Sequence, residues 1–170
     1  MNPEQAKMFL NFFITSFEAE VATTKKVLER VPDSQKTYRP DPKSMSAHDL
    51  AWHIPATEVW FLDSLLKGKF EMGQPDPAPA TIAEILSWYE KNVAALLPKV
   101  KAMPADNLSN VINFFGMQHP AVMYLSFMLL HSIHHRGQLS AYLRPMGAKV
   151  PSIYGGSADE PFQAEAASGH

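Results

Sequence analysis

Three imidazoles fall within five residues of an otherwise apolar run, Met128-Leu129-Leu130-His131-Ser132-Ile133-His134-His135-Arg136-Gly137-Gln138-Leu139. On a helix, residues four apart lie one turn above each other on one face. His131 and His135 have that spacing, so two neutral imidazoles there can grip one divalent ion from the same side. A pair three apart works as well, so spacing alone leaves His134 and His135 as alternative partners for His131. The choice of imidazole over Leu or Met needs a reason, because a buried imidazole without a partner is costly.

A well-held ion needs at least three protein ligands and an open position. The remaining histidines are His48, His53, His119 and His170. His53 shares a helical side with Leu50, Thr57 and Phe61 and is the best third donor. His48, five residues earlier, is turned about 140° away from it at ~3.6 residues per turn and reads as surface. His119 precedes Pro120 and reads as a helix-entry residue, while His170 is terminal. Three neutral imidazoles leave the ion's charge uncompensated, which acidifies bound water and stabilises a thiolate. Such a set suits zinc, nickel, iron or copper, with zinc or nickel first and iron or manganese behind them. The plain alternative is a hydrogen-bonded core His53 and a His131/His135 pair on a surface or at a helix cap.

The rest of the composition narrows the field. A chain of 170 residues, 46% of them hydrophobic, fits one domain with a real core. A net charge of -2 without charge blocks argues against nucleic acid and anionic membranes as partners. There is no Cys, which excludes disulfides, thiolate ligands and a cysteine nucleophile, so a metal must be held by His, Asp or Glu. No segment reads as a membrane span or a signal peptide, and a soluble cytoplasmic protein is expected.

Four helical patterns must position the histidines. The first runs from about Pro3 to Arg30 with an apolar stripe of Phe9, Phe12, Phe13, Phe17, Val21, Val27 and Leu28. Pro32 and Arg39-Pro40-Asp41-Pro42 end it. The second opens at Ser46, with Asp49 in the place of the usual capping-box Glu, and runs to Lys67-Gly68. Pro55 lies inside it and predicts a kink near His53. After the stiff Gln74-Pro75-Asp76-Pro77-Ala78-Pro79 loop, Thr81 and Glu84 form a capping box for the third helix. That helix buries Ile82, Ile85, Leu86, Tyr89, Val93, Leu96, Leu97 and Val100, bends at Pro98 and stops at Pro104. Leu108 to Gln118 is a short extended piece or a loop. The fourth helix starts near Pro120 and ends before Pro145. Residues 1–155 form the expected domain; 156–170 form a tail whose last residues look poorly ordered. The fold class is all-α, a four-helix bundle with long loops and a metal site between facing helices.

The stretch from His131 to Arg144, with His134-His135-Arg136-Gly137-Gln138 at its centre, resembles the signature helix of the DinB-like (damage-inducible, or YfiT-like) family of four-helix metalloproteins. His48-Asp49-Leu50-Ala51-Trp52-His53-Ile54 resembles that family's second-helix segment. Arg144-Pro145-Met146-Gly147 and Pro151-Ser152-Ile153-Tyr154-Gly155 are similar to the segment C-terminal to the signature helix in many members. The resemblance covers the chain from the first helix to Gly155. It implies an up-up-down-down bundle, often a homodimer, with His53, His131 and His135 as metal ligands and His134 as a neighbour. Under it, Gln138 is a candidate to hydrogen-bond a ligand or metal-bound water, or else an ordinary interhelical contact, and Arg136 an ion-pairing or packing residue. Trp60 is a candidate pocket wall with a core role as the alternative, and Tyr154 a candidate cover. Pro55 departs from the pattern and is expected to tilt His53.

Members with known activities use a low-molecular-weight thiol, so the resemblance implies a metal-dependent thiol transferase acting on a small-molecule electrophile. A second hypothesis is hydrolysis of a small ester or amide, for which Asp49 and Glu58 are weak hints of a general base and read first as solvated charges. A third is a non-catalytic helical module that dimerises or binds a partner. In that case an exposed Phe114-Phe115 would mark an interface or a substrate mouth.

Overall fold

The helix starts are built from side chains that accept the free amides of a first turn. Asn2 accepts from the Gln5 amide while the Gln5 side chain returns to the Asn2 amide, and Pro3 takes the first helical position of α1 (Pro3–Leu28). Ser46 accepts from the Asp49 amide at the start of α2 (Ala47–Lys67). The expected capping box is only half made there. The shorter Asp49 side chain accepts from the Ser46 hydroxyl at 2.6 Å instead of reaching the Ser46 amide. Thr81 and Glu84 form the complete box that opens α3 (Ile82–Lys101). Gly68, at φ 69°, closes α2 in the left-handed conformation that a residue without Cβ adopts freely.

The computed structural model describes residues 1–73 and 76–162. After α3 come the short α4 (Ala105–Ser109), strand β1 (Val111–Phe114) and strand β2 (Met117–Pro120), a three-residue turn, and α5 (Tyr124–Leu143). The strands pair antiparallel, with Val111 opposite Pro120 and Phe114 opposite Met117. The chain is therefore mostly helical but not all-α. The stretch that reads as an extended piece or a loop is a hairpin turning on Phe115 (φ 50°) and Gly116 (φ 87°). Two positive φ values suit the twist of a tight hairpin, and the glycine takes its share without strain. The Tyr124 hydroxyl holds the hairpin to α5, lying 3.0 Å from the Ile112 carbonyl and 2.8 Å from that of Met117.

One continuous core joins all the long helices. α2 packs against both α3 and α5, and α1 packs against α3, α4 and α5. From α1 it takes Leu10, Phe13, Ile14 and Phe17; Phe12, placed in the apolar stripe by its spacing, is 78% exposed. Pro55 is buried and α2 is helical without interruption through it. The segment after α5 is fastened rather than loose. Asp159 accepts from the Val150 amide and pairs with Arg144, and Glu160 accepts from the Ser152 amide and pairs with Arg30. The expected disorder of the last residues, and His170, lie outside the described residues. No helix among the described residues is long and apolar enough to cross a membrane.

Candidate metal centre

α2 and α5 lie side by side, and their shared face carries His53 from one and His131 with His135 from the other. One ring nitrogen from each of the three lies within 4.8 Å of the others. His53 Nε2 is 2.9 Å from His131 Nε2. The ring centroids are 4.8 Å apart for His53 and His131, 4.6 Å for His53 and His135, and 4.3 Å for His131 and His135. Pro55 thus leaves the His53 ring in reach of both partners. Among the described residues, this is the cluster of metal-ligating side chains that meets at one point.

The choice that spacing left open falls to His135. His134 is exposed; its ring lies 5.0 Å from that of His135 and points to solvent rather than to His53. His135 is further oriented from its own helix, because Nδ1 meets the Gln138 side-chain oxygen at 2.8 Å. A carbonyl oxygen can only accept, so Nδ1 carries a hydrogen and Nε2 is the ring nitrogen left for the cluster. That arrangement prepares a ring for a cation.

Burial pushes His131 down to about 4, helped by the neighbouring His135, His53 and His134. Burial and then His135 also lower His53. Both rings are therefore neutral near neutral pH, as ligands must be. His131 Nδ1 is buried and has no partner, so the ring's hydrogen-bonding capacity is spent toward the cluster. Three half-buried imidazoles that share a point fit a divalent ion of the zinc or nickel type.

Other expectations fare differently. Trp60 belongs to an aromatic cluster, with ring centroids 5.2 Å from Phe61, 5.4 Å from Phe70 and 5.9 Å from Phe114. Its indole N–H donates to the Glu71 carbonyl, so its role is packing under the hairpin rather than walling the histidines. Phe114 is half-buried in that cluster, whereas Phe115 at the hairpin tip is 69% exposed. Tyr154 is 69% exposed and covers Arg136, not the histidines. His48 is not free surface: its Nε2 meets the Pro79 carbonyl at 2.8 Å and ties the loop before α3 to the start of α2.

Glu58 is the largest departure. It reads from sequence as a solvated charge, yet it is 1% exposed. The Tyr89 hydroxyl of α3 donates to its carboxyl. Burial pushes the carboxyl up to about 7, with the Tyr89 hydroxyl and the Arg136 charge easing it back. Arg136, also 1% exposed, is ion-paired with Glu20 of α1 and donates to Thr24 and Tyr154, as its reading as an ion-pairing residue anticipates. The missed signal was periodicity. Glu58 occupies the buried stripe of Ile54, Phe61, Leu62 and Leu65, and Arg136 that of Met128, Ser132, Leu139 and Leu143.

Comparisons with known proteins give the family and the fold. Residues 6–165 match the model of the DinB family. The chain is 30% identical over 153 residues to the uncharacterized protein YrdA of Bacillus subtilis (strain 168), covering 89% of this chain and 91% of that protein. It is 23% identical over 139 residues to the uncharacterized protein YjoA of the same organism, covering 81% and 90%. A crystal structure of a DinB-like protein from Bacillus cereus ATCC 10987 superposes with a TM-score of 0.72 at 28% identity, over 84% of this chain and 95% of that one. The crystal structure of YjoA, 21% identical and covering 83% and 96%, has a TM-score of 0.68 and shares the fold. A family match spanning nearly the whole chain, with a relative of near-equal length, places this protein in the DinB family.

Proposed function

We propose that this protein is a metal-dependent transferase that uses a low-molecular-weight thiol against a small electrophile. The observation that carries the reading is the convergence of three imidazole nitrogens, within 4.8 Å of one another, from two packed helices. His53, His131 and His135 would hold a divalent ion. When bound, that ion supplies positive charge that lowers the pKa of a thiol and makes the thiolate available as nucleophile.

The chain's own residues do the positioning. Gln138 holds the His135 hydrogen on Nδ1 and keeps Nε2 directed at the shared point. The apolar flank of α5 and the α2 core limit water on the inner side, where Leu50, Ile54 and Met128 are buried. The chain has no cysteine of its own, so the thiol must come from a cosubstrate.

The same reading includes an up-up-down-down four-helix bundle and a homodimer. Contacts of α2 with α3 and α5, and of α1 with α3 and α5, support the bundle. Exposed Met8 and Phe12 on α1, and Leu130 on α5, give apolar surface that a second copy would cover. Cytoplasmic residence would supply the reduced thiol.

The test is purified protein assayed for metal, with thiol consumption followed against a panel of electrophiles. Metal-dependent thiol consumption that disappears in His131→Ala supports the reading. Turnover of esters or amides without thiol would assign hydrolysis instead, and no turnover with metal bound would leave a binding module.

A further inference from the structure

We propose that the groove between α2 and α5 runs from the histidine centre onto an aromatic wall headed by Phe127, and that this wall receives the flat, uncharged part of an aromatic electrophile. The inference rests on the metal-centre reading and names the substrate class that the centre would serve. On the inner side the three imidazoles are closed off by the buried Leu50, Ile54 and Met128. A molecule that reaches an ion held there must come along the outer groove between the two helices.

Two independent routes place the wall at one end of that groove. Seven residues beyond His53 on α2 stands Trp60, and seven residues before His131 on α5 stands Tyr124. Each lies within about 20° of its histidine around the helix and about 10.5 Å from it along the axis. Phe114 of the hairpin packs against both, with ring centroids 5.9 Å from Trp60 and 5.6 Å from Tyr124. The two helices therefore run antiparallel past the histidines and into one aromatic cluster. Trp60 itself packs under the hairpin; Phe127 is the member nearest the centre on α5. It precedes His131 by one turn on the same flank of the helix. Helical side chains lean toward the N-terminus, so the His131 ring tilts back over the turn that carries Phe127. The Phe127 ring lies 5.6 Å from Tyr124 and 5.8 Å from His119 of β2, and 37% of the residue is exposed.

The opposite end of the centre is polar. Toward the C-terminus of α5, the His135 ring meets Gln138, and exposed His134 flanks it. That end suits a hydrophilic thiol, which leaves the aromatic end for the electrophile. Phe114, Tyr124, Phe127 and His119 bring no carboxylate, ammonium or guanidinium there. A part-exposed ring with such neighbours gains most from a flat apolar partner, since ring-on-ring contact adds a few-fold to about tenfold in affinity beyond the area it covers.

The experiment loads the full chain with Co²⁺ and titrates it with imidazole and with 4-phenylimidazole, following the Co²⁺ spectrum. Both probes bind an ion's open position through a ring nitrogen, and only the second brings a phenyl group to lie against Phe127. Comparing the ratio of the two affinities between proteins cancels the intrinsic difference between the probes. Expected is a ratio that falls by about fivefold or more in Phe127→Ala at the expense of 4-phenylimidazole, with imidazole binding as in wild type. If that variant fails to fold by circular dichroism, Phe127→Leu serves, and loss of the ring must move the ratio in the same direction. An unchanged ratio in the folded variant, with imidazole still bound, overturns the aromatic wall while the centre stands. A wild-type chain that takes up no Co²⁺ overturns the centre and the wall with it.

Discussion

His53 Nε2 and His131 Nε2 stand 2.9 Å apart across the α2–α5 interface, though 78 residues separate them in the chain. Without an ion, one nitrogen must carry a hydrogen and the other accept it. With an ion, both turn lone pairs to the same point. His53→Ala or His131→Ala is therefore expected to abolish stoichiometric metal binding, a loss larger than the ~100-fold typical of removing a supporting group. His134→Ala, at an exposed position, should leave it intact. Metal content of the three purified variants checks this, and an effect of His134→Ala equal to that of His131→Ala would move the pair.

Gln138 fixes the proton of His135 through a 2.8 Å contact on the same helix. Gln138→Leu should weaken zinc affinity by about 10–100-fold without changing the ligand set. Competition titration gives the affinity and the Co²⁺ spectrum the ligand set. Wild-type affinity would make Gln138 an ordinary surface amide.

Much of this centre was legible in the chain because helical spacing is a strict ruler. His131 and His135 had to share a face, and His53 had to side with Leu50 and Phe61. The decision between His134 and His135 was not legible from spacing, since both fit; it depends on where α2 lies against α5. Glu58 departs from its sequence reading because a charge in a helix reads as solvated unless its place in the buried stripe is weighed above its type, whereas Arg136 pairs as expected. Phe12 is the converse case, an aromatic at core spacing left 78% exposed because α1 buries the neighbouring stripe of Leu10, Phe13, Ile14 and Phe17. The hairpin escaped because four-residue strands carry too little alternation to register.

Glu58 also makes a pH prediction for the ion-free protein. Its folded pKa, about 7, lies above the ordinary carboxyl value of 4.5. A raised acid contributes stability that is fully present below the unfolded value and is lost as pH rises through the folded one. Wild type should therefore lose stability relative to Glu58→Gln between about pH 4.5 and 7, by on the order of a few kcal/mol. His131, lowered to about 4, acts in the opposite sense: its contribution is full above its ordinary 6.5 and is lost as pH falls toward 4. Urea melts of both proteins across this range separate the two, and parallel curves would mean Glu58 is not the titrating group.

Arg136 is paired with Glu20 and is 1% exposed. Arg136→Met should cost about 3–5 kcal/mol because it strands Glu20 and removes donors from Thr24 and Tyr154. Adding Glu20→Gln to that variant should recover part of the loss. Chemical denaturation of the single and double variants checks it. Strictly additive losses would show that the pair acts through packing alone.

The most direct measurement is elemental analysis of protein purified without a His tag or chelator, joined to anomalous diffraction at the metal's edge. The expected result is one divalent ion per chain at about 2.1 Å from a ring nitrogen of each of His53, His131 and His135. Protein that takes up no ion from excess zinc or nickel, or an anomalous peak away from these three rings, would contradict it.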